Sequence, residues 1–326
     1  MVCMTTSTAP APAVHQSGSA GSGALLAIAS MLCVQLAMAV AVHLFDRVEP
    51  QTVAWLRLAW AGVIMLPVLV LGGRRSRFSR SSLLACVALG VVTAGVTMLF
   101  MSAIARLPLG TASALEFLGP LSVAVIRGRG GRWQWPALAA VGVVLLTRPW
   151  QGGGDLAGVG FALAAAVCWA AYILLTQRVG DEVAGVRGLA VSLPVAGIVA
   201  SLVAGPAVVT DLSWSVVLIG FGLAVMLPVI PFTLELLALR RLTTAAFGTL
   251  MCLEPAFALV IGLVALNQVP GAAPLAGVLF VVVAGFGAQR SGARAKNVNP
   301  VPEARREPEA GADYGVRAPQ GATTKG

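Results

Sequence analysis

Long apolar runs separated by short polar loops fill most of this chain. The runs are rich in Leu, Val, Ala and Gly and show no alternation of period two, which favours helices over the strands of an outer-membrane barrel. A helical run of about 18 to 25 residues can cross the roughly 30 Å hydrocarbon core of a bilayer. The pattern predicts an all-α integral membrane protein with ten transmembrane helices, at residues 24–45, 53–72, 83–104, 108–126, 133–149, 158–178, 186–208, 214–238, 243–266 and 272–289.

Composition supports a membrane location. The 326 residues are 58% hydrophobic and only 11% charged, whereas about a quarter of the residues in a soluble domain are charged. The formal net charge of +9 does not indicate nucleic-acid binding, because the basic residues lie in short loops and in the tail with no aromatic residues between them. We therefore expect a lipid bilayer, and no nucleic acid, as a partner.

The two ends of the chain are polar. Residues 1–22 are mostly Ser, Thr, Ala, Pro and Gly without Lys or Arg, so they lack the positive start of a secretory signal. Residues 290–326 are polar and rich in proline, a composition that is too poor in large apolar side chains to fold alone. We expect a disordered cytoplasmic arm at one end and a disordered cytoplasmic tail at the other.

Basic residues in the loops predict the orientation. The even-numbered loops carry eleven Lys or Arg residues, and the odd-numbered loops carry only Arg47, Arg106 and Arg148. Positive residues are retained on the cytoplasmic side of a membrane. Both termini are therefore predicted to be cytoplasmic.

An internal repeat is visible at an offset of 135 residues. That shift pairs RLPLGTASALEFLGPLSVAV at 106–125 with RLTTAAFGTLMCLEPAFALV at 241–260, with six identities. Together with the five-plus-five grouping of the spans, it predicts two homologous halves, at 23–150 and 151–289. Because each half has an odd number of spans, the second half enters from the opposite side, and the repeats are inverted.

Four ionisable side chains fall inside the predicted spans. Each costs about 2.5 to 3.5 kcal/mol at a helix centre, so the set costs on the order of 10 kcal/mol if all are central. Such groups should face the interior of the bundle or a hydrated cavity. They are Arg57, Glu116, Glu235 and Glu254.

Prolines accompany the glutamates. Pro120 cannot donate a hydrogen bond to the carbonyl of Glu116, which leaves that carbonyl free beside a carboxylate, a plausible pair of ligands for a cation. Alternatively, the prolines only bend helices for packing, and the glutamates are satisfied by one another or by Arg57. Helix breaks are expected at Pro120, Pro228, Pro231 and Pro255.

Arg57 admits two interpretations. It lies about five residues into its predicted span, where its long side chain could reach the membrane surface. Alternatively, its guanidinium grips a carboxylate with two parallel hydrogen bonds. Tyr172, Gln177 and Gln35 are polar exceptions on other spans that could line a cavity or simply pack.

Three strings carry a resemblance to a known family. They are ALEFLGPLSVAV at 114–125, CWAAYILLTQR at 168–178, and the run from LPVIPFTLELLALRRL to FGTLMCLEPAFALV at 227–260. Over residues 24–289 the chain resembles the EamA-type members of the drug/metabolite transporter superfamily, and most of all the threonine/homoserine exporters among them. The resemblance implies ten helices in two inverted halves, a multi-pass inner-membrane location, and export of small amino acids by proton antiport.

The residues in the spans are compatible with an amino-acid substrate. Arg57 would bind the substrate carboxylate, and Glu116, Glu235 or Glu254 would bind the ammonium group, with Tyr172 as a further candidate for substrate binding. A buried glutamate could also release a proton when the ammonium arrives. The alternative is efflux of another small metabolite or drug, such as a purine, an antimetabolite or a polyamine, by the same fold.

An enzyme is disfavoured. GGG at 152–154 is not followed by the GK[ST] of a phosphate-binding loop. His15 and His43 have no partners for a catalytic triad or a metal, and the five cysteines form no CxxC. We expect no cofactor and no metal, and the sequence leaves the oligomeric state open.

Overall fold

The structure is a computed structural model. It describes residues 17–71, 79–127, 133–148, 155–182, 187–206, 208, 212–239, 241–242 and 244–292. All regular secondary structure in these ranges is helical. The predicted tail beyond residue 292, and residues 1–16 of the predicted arm, lie outside the described residues.

Thirteen α-helices and one π-helical turn follow one another in these ranges. The first half of the chain contains α1 (Ser17–Leu44), α2 (Pro50–Leu71), α3 (Arg80–Ile104), α4 (Leu109–Glu116), α5 (Leu118–Arg127) and α6 (Gln134–Thr147). The second half contains α7 (Leu156–Glu182), α8 (Arg187–Ala204), α9 (Trp214–Ala224), the π turn (Val225–Val229), α10 (Ile230–Leu239), α11 (Thr244–Met251), α12 (Glu254–Leu266) and α13 (Ala272–Gly292).

Seven helical segments of the described chain are long and apolar enough to cross a membrane, and three shorter apolar helices accompany them. Each of the ten predicted spans overlaps one of these segments. The number that cross the membrane, and the inversion of the halves, stay predictions. Helix α1 begins at Ser17, so the last residues of the predicted disordered arm are helical.

Two predicted spans are interrupted near their centres. The fourth span breaks at Phe117, between α4 and α5, and the ninth breaks at Cys252 and Leu253, between α11 and α12. Helices α4 and α11 begin 135 residues apart and end 135 residues apart. The spacing of the helix boundaries is therefore the same as the spacing of the sequence repeat.

Prolines lie just beyond both breaks. Pro120 is the third residue of α5 and Pro255 the second residue of α12, in the first turn of a helix, where a proline loses no backbone hydrogen bond. Glu116 is the last residue of α4, and Glu254 is the first residue of α12. The two glutamates therefore lie on opposite sides of equivalent breaks.

The eighth span contains the π turn. The backbone N–H of Ile230 donates to the carbonyl of Val225, five residues earlier. Pro228 lies within this turn and Pro231 is the second residue of α10. A proline cannot donate to the carbonyl four residues before it, and a wider turn accommodates that interruption.

Helices of the two halves pack against each other throughout. Helix α3 packs against α7 and α8, while α10 packs against α1 and α9 packs against α2. Helix α2 also packs against α8, and α6 packs against α13. If every span is exchanged for its counterpart in the other half, this set of pairings maps onto itself.

Glycines allow the closest helix contacts. A Cβ added to Gly90 on α3 would lie 2.5 Å from the carbonyl oxygen of Ser192 on α8, and one added to Gly119 on α5 would lie 2.3 Å from that of Ala166 on α7. Both distances are too short for a side chain. Small residues at such positions let helix backbones approach closely where lipid provides no hydrophobic driving force.

Asp155 caps the start of α7. Its Oδ1 accepts a hydrogen bond of 2.8 Å from the backbone N–H of Gly158, and its Oδ2 accepts one of 3.2 Å from Arg106. The Gly158 N–H, with a smaller contribution from Arg106, holds the pKa of Asp155 below its usual value. The ion pair is partly exposed, so it contributes little to stability.

We predict that Gly90→Ala weakens the packing of α3 on α8. Overpacking a close contact costs about 1 to 3 kcal/mol, so the melting temperature in detergent should fall. Gly160→Ala is the matched control, because Gly160 is exposed on α7 with nothing within 4 Å of an added Cβ. Equal melting temperatures for the two variants would contradict the close contact between α3 and α8.

Candidate functional site

Two adjoining cavities lie between the helices of the two halves. The larger has a volume of about 480 Å³ and the smaller about 150 Å³. The same five residues line both cavities, so the cavities share a wall. These residues are Val34, Arg57, Val96, Thr97 and Trp169.

The larger cavity contains one glutamate. Glu235 of α10 and Tyr172 of α7 line it together with Arg57 of α2. Ser30 of α1 donates its hydroxyl proton towards Glu235 Oε1, at 3.0 Å, and towards the carbonyl oxygen of Pro231, at 3.2 Å. The hydroxyl of Ser30 thereby links Glu235 to the backbone near the π turn.

The smaller cavity contains two glutamates. Glu116 and Glu254 line it together with Arg57 and with Gln35 of α1. Glu116 is 8% exposed. The charge of Glu116 interacts with those of both Glu254 and Arg57. The breaks in the fourth and ninth spans therefore place two carboxylates in the smaller cavity.

These opposite charges do not form close ion pairs. In the described structure, no nitrogen of Arg57 lies within 4.0 Å of a carboxylate oxygen of Glu116, Glu235 or Glu254. Arg57 Nη1 donates to Met38 Sδ at 3.9 Å, and Arg57 Nε is buried without a hydrogen-bond partner in the described structure. The alternative in which Arg57 satisfies the glutamates by direct ion pairs therefore does not describe this structure. The guanidinium of Arg57 lines both cavities.

The predicted prolines have different positions relative to the cavities. Pro231 lines the larger cavity. Pro120 and Pro255 lie at the helix breaks and line neither cavity, and Pro228 lies in the π turn. Gln177, one of the polar exceptions, is exposed and lines neither cavity.

Several lining residues carry no signal in the sequence. Thr97 and Trp169 line both cavities, and Ser30 contacts Glu235. Serine and threonine are common in transmembrane helices because their hydroxyls can bond to the backbone of the same helix. Their position beside charged residues follows only from how the helices pack.

A third cavity lies near the ends of the helices that border the odd-numbered loops. Its volume is about 540 Å³, and Arg148 and Gln268 are among its lining residues. Gln268 Oε1 accepts a hydrogen bond of 2.8 Å from the backbone N–H of Leu109 at the start of α4. In the parts of the chain that are described, no group of three or more His, Cys, Asp or Glu residues could hold a metal ion.

The arrangement can bind a ligand that carries both charges. A guanidinium that has no ion pair among the described residues lies between a cavity with one carboxylate and a cavity with two carboxylates. A planar guanidinium can hold a carboxylate with two parallel hydrogen bonds, and carboxylates bind an ammonium group. The larger volume lies within the roughly 300 to 1,000 Å³ that small-molecule sites occupy.

Comparison with known proteins relates the chain to transporters. It is 36% identical over 251 residues to the threonine/homoserine exporters RhtA of Escherichia coli (strain K12) and of Salmonella typhimurium (strain LT2), with 75% of this chain and 83% of each relative covered. A solved structure described only as "Crystal structure of protein" has a TM-score of 0.52 at 20% identity, over 82% of this chain and 97% of that chain. That likeness shows a shared fold.

The family match covers most of the chain in two parts. The EamA-like transporter family matches residues 21–128 and, again, residues 156–288. The two matches begin 135 residues apart, which is the offset of the internal repeat. The resemblance that the sequence motifs indicated is confirmed, and the chain belongs to the EamA-like transporter family.

Proposed function

We propose that this protein exports small amino acids like threonine and homoserine across the inner membrane, in exchange for protons. The observation that carries the proposal is the position of Arg57, unpaired at the shared wall of two cavities that contain Glu235 on one side and Glu116 and Glu254 on the other. As a member of a transporter family, the protein moves a small molecule rather than transforming it. The relatives named threonine/homoserine exporters support the choice of substrate.

Recognition of an amino acid needs one cationic group and at least one anionic group. Arg57 would bind the substrate carboxylate with its planar fork, and Glu116 or Glu254 would bind the ammonium group in the smaller cavity. A polyamine has no carboxylate, and its positive charges would be repelled by Arg57. A larger neutral metabolite or drug is the remaining alternative. The larger cavity could hold such a substrate, because its volume is about three times that of the smaller cavity.

Coupling to protons would follow from the pair of glutamates. Two carboxylates that share a small cavity repel each other when both are ionised. One of them would therefore hold a proton until the substrate ammonium replaces it. Binding of the substrate and binding of the proton then become alternatives at one site, which is the condition for exchange.

The placement of the larger cavity supports a route from the cytoplasm to the site. Its lining residues Ile64, Leu189 and Glu235 lie in the halves of their helices that border the basic even-numbered loops. Those loops are the ones predicted to be cytoplasmic. The larger cavity would be the cytoplasmic entrance, and the smaller cavity would lie deeper in the bundle.

Alternating access is supported by the repeat. The shared offset of 135 residues in the sequence, in the helix boundaries and in the family matches favours two homologous halves of 23–150 and 151–289. The helix pairings are unchanged when the halves are exchanged. Inverted halves of this kind place the substrate at their interface and expose it to each side in turn.

We predict that Arg57→Lys raises the half-saturating threonine concentration in proteoliposomes about tenfold or more. Lysine keeps the positive charge but loses the two parallel hydrogen bonds. Arg106→Lys is the matched control, because Arg106 is partly exposed in an ion pair away from both cavities. An unchanged half-saturating concentration in Arg57→Lys would remove Arg57 from the site.

Neutralising the acids of the smaller cavity should impair transport without preventing membrane insertion. We expect Glu116→Gln and Glu254→Gln each to lower threonine export about tenfold or more, because the ammonium loses an anionic partner. Insertion should persist, since a neutral amide costs less in the membrane than a carboxylate. Glu49→Gln, at an exposed loop residue, is the control. Full export by both cavity variants would assign these acids to structure.

Proton exchange has its own signature. In proteoliposomes with a trapped pH indicator, an outward threonine gradient should move protons inwards, and a proton gradient alone should drive threonine against its concentration. Both effects should disappear in a double Glu116→Gln, Glu254→Gln variant. Threonine movement with no change in the indicator signal would show uniport and reject the exchange.

A further inference from the structure

Gln35 is a buried amide in the wall of the smaller cavity that the proposed recognition of charges does not use. It lies on α1 and is 2% exposed. Its Oε1 atom has no hydrogen-bond partner within the described part of the structure. A buried amide without a partner destabilises a fold, so its retention at a cavity wall points to a ligand.

The chemistry of the neighbouring residues defines what remains for Gln35 to bind. Arg57 accounts for the carboxylate of an amino acid, and Glu116 or Glu254 accounts for its ammonium group. The only part of the substrate left is its side chain. Most of the remaining wall is apolar: Val34, Met38, Val96, Phe100 and Trp169.

We propose that Gln35 is the specificity-determining residue that recognises the side-chain hydroxyl of the substrate in the smaller cavity. The inference rests on the proposed function and deepens it by naming the residue that recognises the side-chain hydroxyl of threonine and homoserine. An amide both donates and accepts hydrogen bonds, as a hydroxyl does. Among the described uncharged residues that line this cavity, Thr97 is the one other residue whose side chain both donates and accepts hydrogen bonds.

The same chain contains a pair of this kind. Gln51 on α2 donates its Nε2 hydrogen to the hydroxyl of Ser102 on α3. There, a partly buried glutamine bonds to a hydroxyl inside the protein through its Nε2, while its Oε1 has no hydrogen-bond partner in the described structure. At Gln35 that partner is missing from the described residues, and the adjoining space is a cavity of about 150 Å³.

Discrimination should be largest between substrates that differ only in the hydroxyl. Valine has nearly the shape of threonine but replaces its hydroxyl with a methyl group, and 2-aminobutyrate is homoserine without its hydroxyl. A site built to bond a hydroxyl rejects such analogues strongly, because its own polar group is left unpaired. A site without that group separates them weakly.

The test compares these pairs in proteoliposomes that contain the full chain. Labelled threonine is the transported probe, and unlabelled threonine, valine, homoserine and 2-aminobutyrate are the competitors. The variant is Gln35→Met, which keeps the size of the side chain and removes the amide. The control is Ser192→Ala, because Ser192 Oγ is also buried and unpartnered in the described structure but lines neither cavity.

We expect the wild type and Ser192→Ala to prefer the hydroxyl-bearing competitor of each pair. In Gln35→Met that preference should fall about fivefold or more, while competition by valine persists. The melting temperature of Gln35→Met should be equal to or above that of the wild type, because an unpaired buried amide has been removed. A purely structural role for Gln35 predicts the opposite change.

Two outcomes would overturn the inference, and they are distinguishable. An unchanged preference in Gln35→Met, with the wild type transporting threonine, would reject the role of Gln35 alone. A wild type that transports none of these amino acids would reject the proposed function as well. If Gln35→Met does not fold, Gln35→Asn is the second variant, because its shorter side chain withdraws the amide from the cavity. Gln35→Asn should lose the same preference. A preserved preference in Gln35→Asn would equally reject the role of Gln35.

Discussion

An ionisable side chain inside hydrocarbon must be hydrated, paired or neutralised, and the arrangement of this protein follows from that constraint. Four such groups in the spans cost on the order of 10 kcal/mol if they are all central. The structure places all four on two adjoining cavities, with Arg57 at the shared wall. None of them forms an ion pair within 4.0 Å among the described residues. Water or substrate in the cavities, or a proton held by a glutamate, must therefore supply the stabilisation that pairing would otherwise give.

Interruptions of helices and close helix contacts together create this space. The breaks at Phe117 and at Cys252 place a glutamate at a helix end in each half, where the backbone is no longer continuous. Glycines such as Gly90 and Gly119 let the surrounding helices pack in close contact. The packed helices form the walls of the cavities. The resulting interior is polar at a few positions and apolar elsewhere, as in most small-molecule sites.

Much of this could be predicted from the sequence, and the remainder depends on tertiary packing. Hydrophobic runs located the helical segments, and the cost of buried charge predicted that Arg57 and the three glutamates face the interior. The exact breaks were not predictable, because Pro120 and Pro255 mark the first turn after each break rather than the break itself. The lack of a hydroxyl partner for Gln35 could not be read from the sequence either, since a glutamine in a span can bond to a hydroxyl on another helix, as Gln51 does.

The central claim, that a hydrated and substrate-accessible space lies between the halves, is tested most directly by thiol labelling. In a variant without its five native cysteines, Val96→Cys on α3 would place a thiol at the wall of both cavities, and Val91→Cys would place one on the exposed side of the same helix. Only a hydrated thiol ionises and reacts. A water-soluble maleimide should therefore label Val96→Cys and leave Val91→Cys unlabelled. Threonine should slow the labelling of Val96→Cys. Equal labelling of both positions, or no labelling at Val96→Cys, would contradict the account.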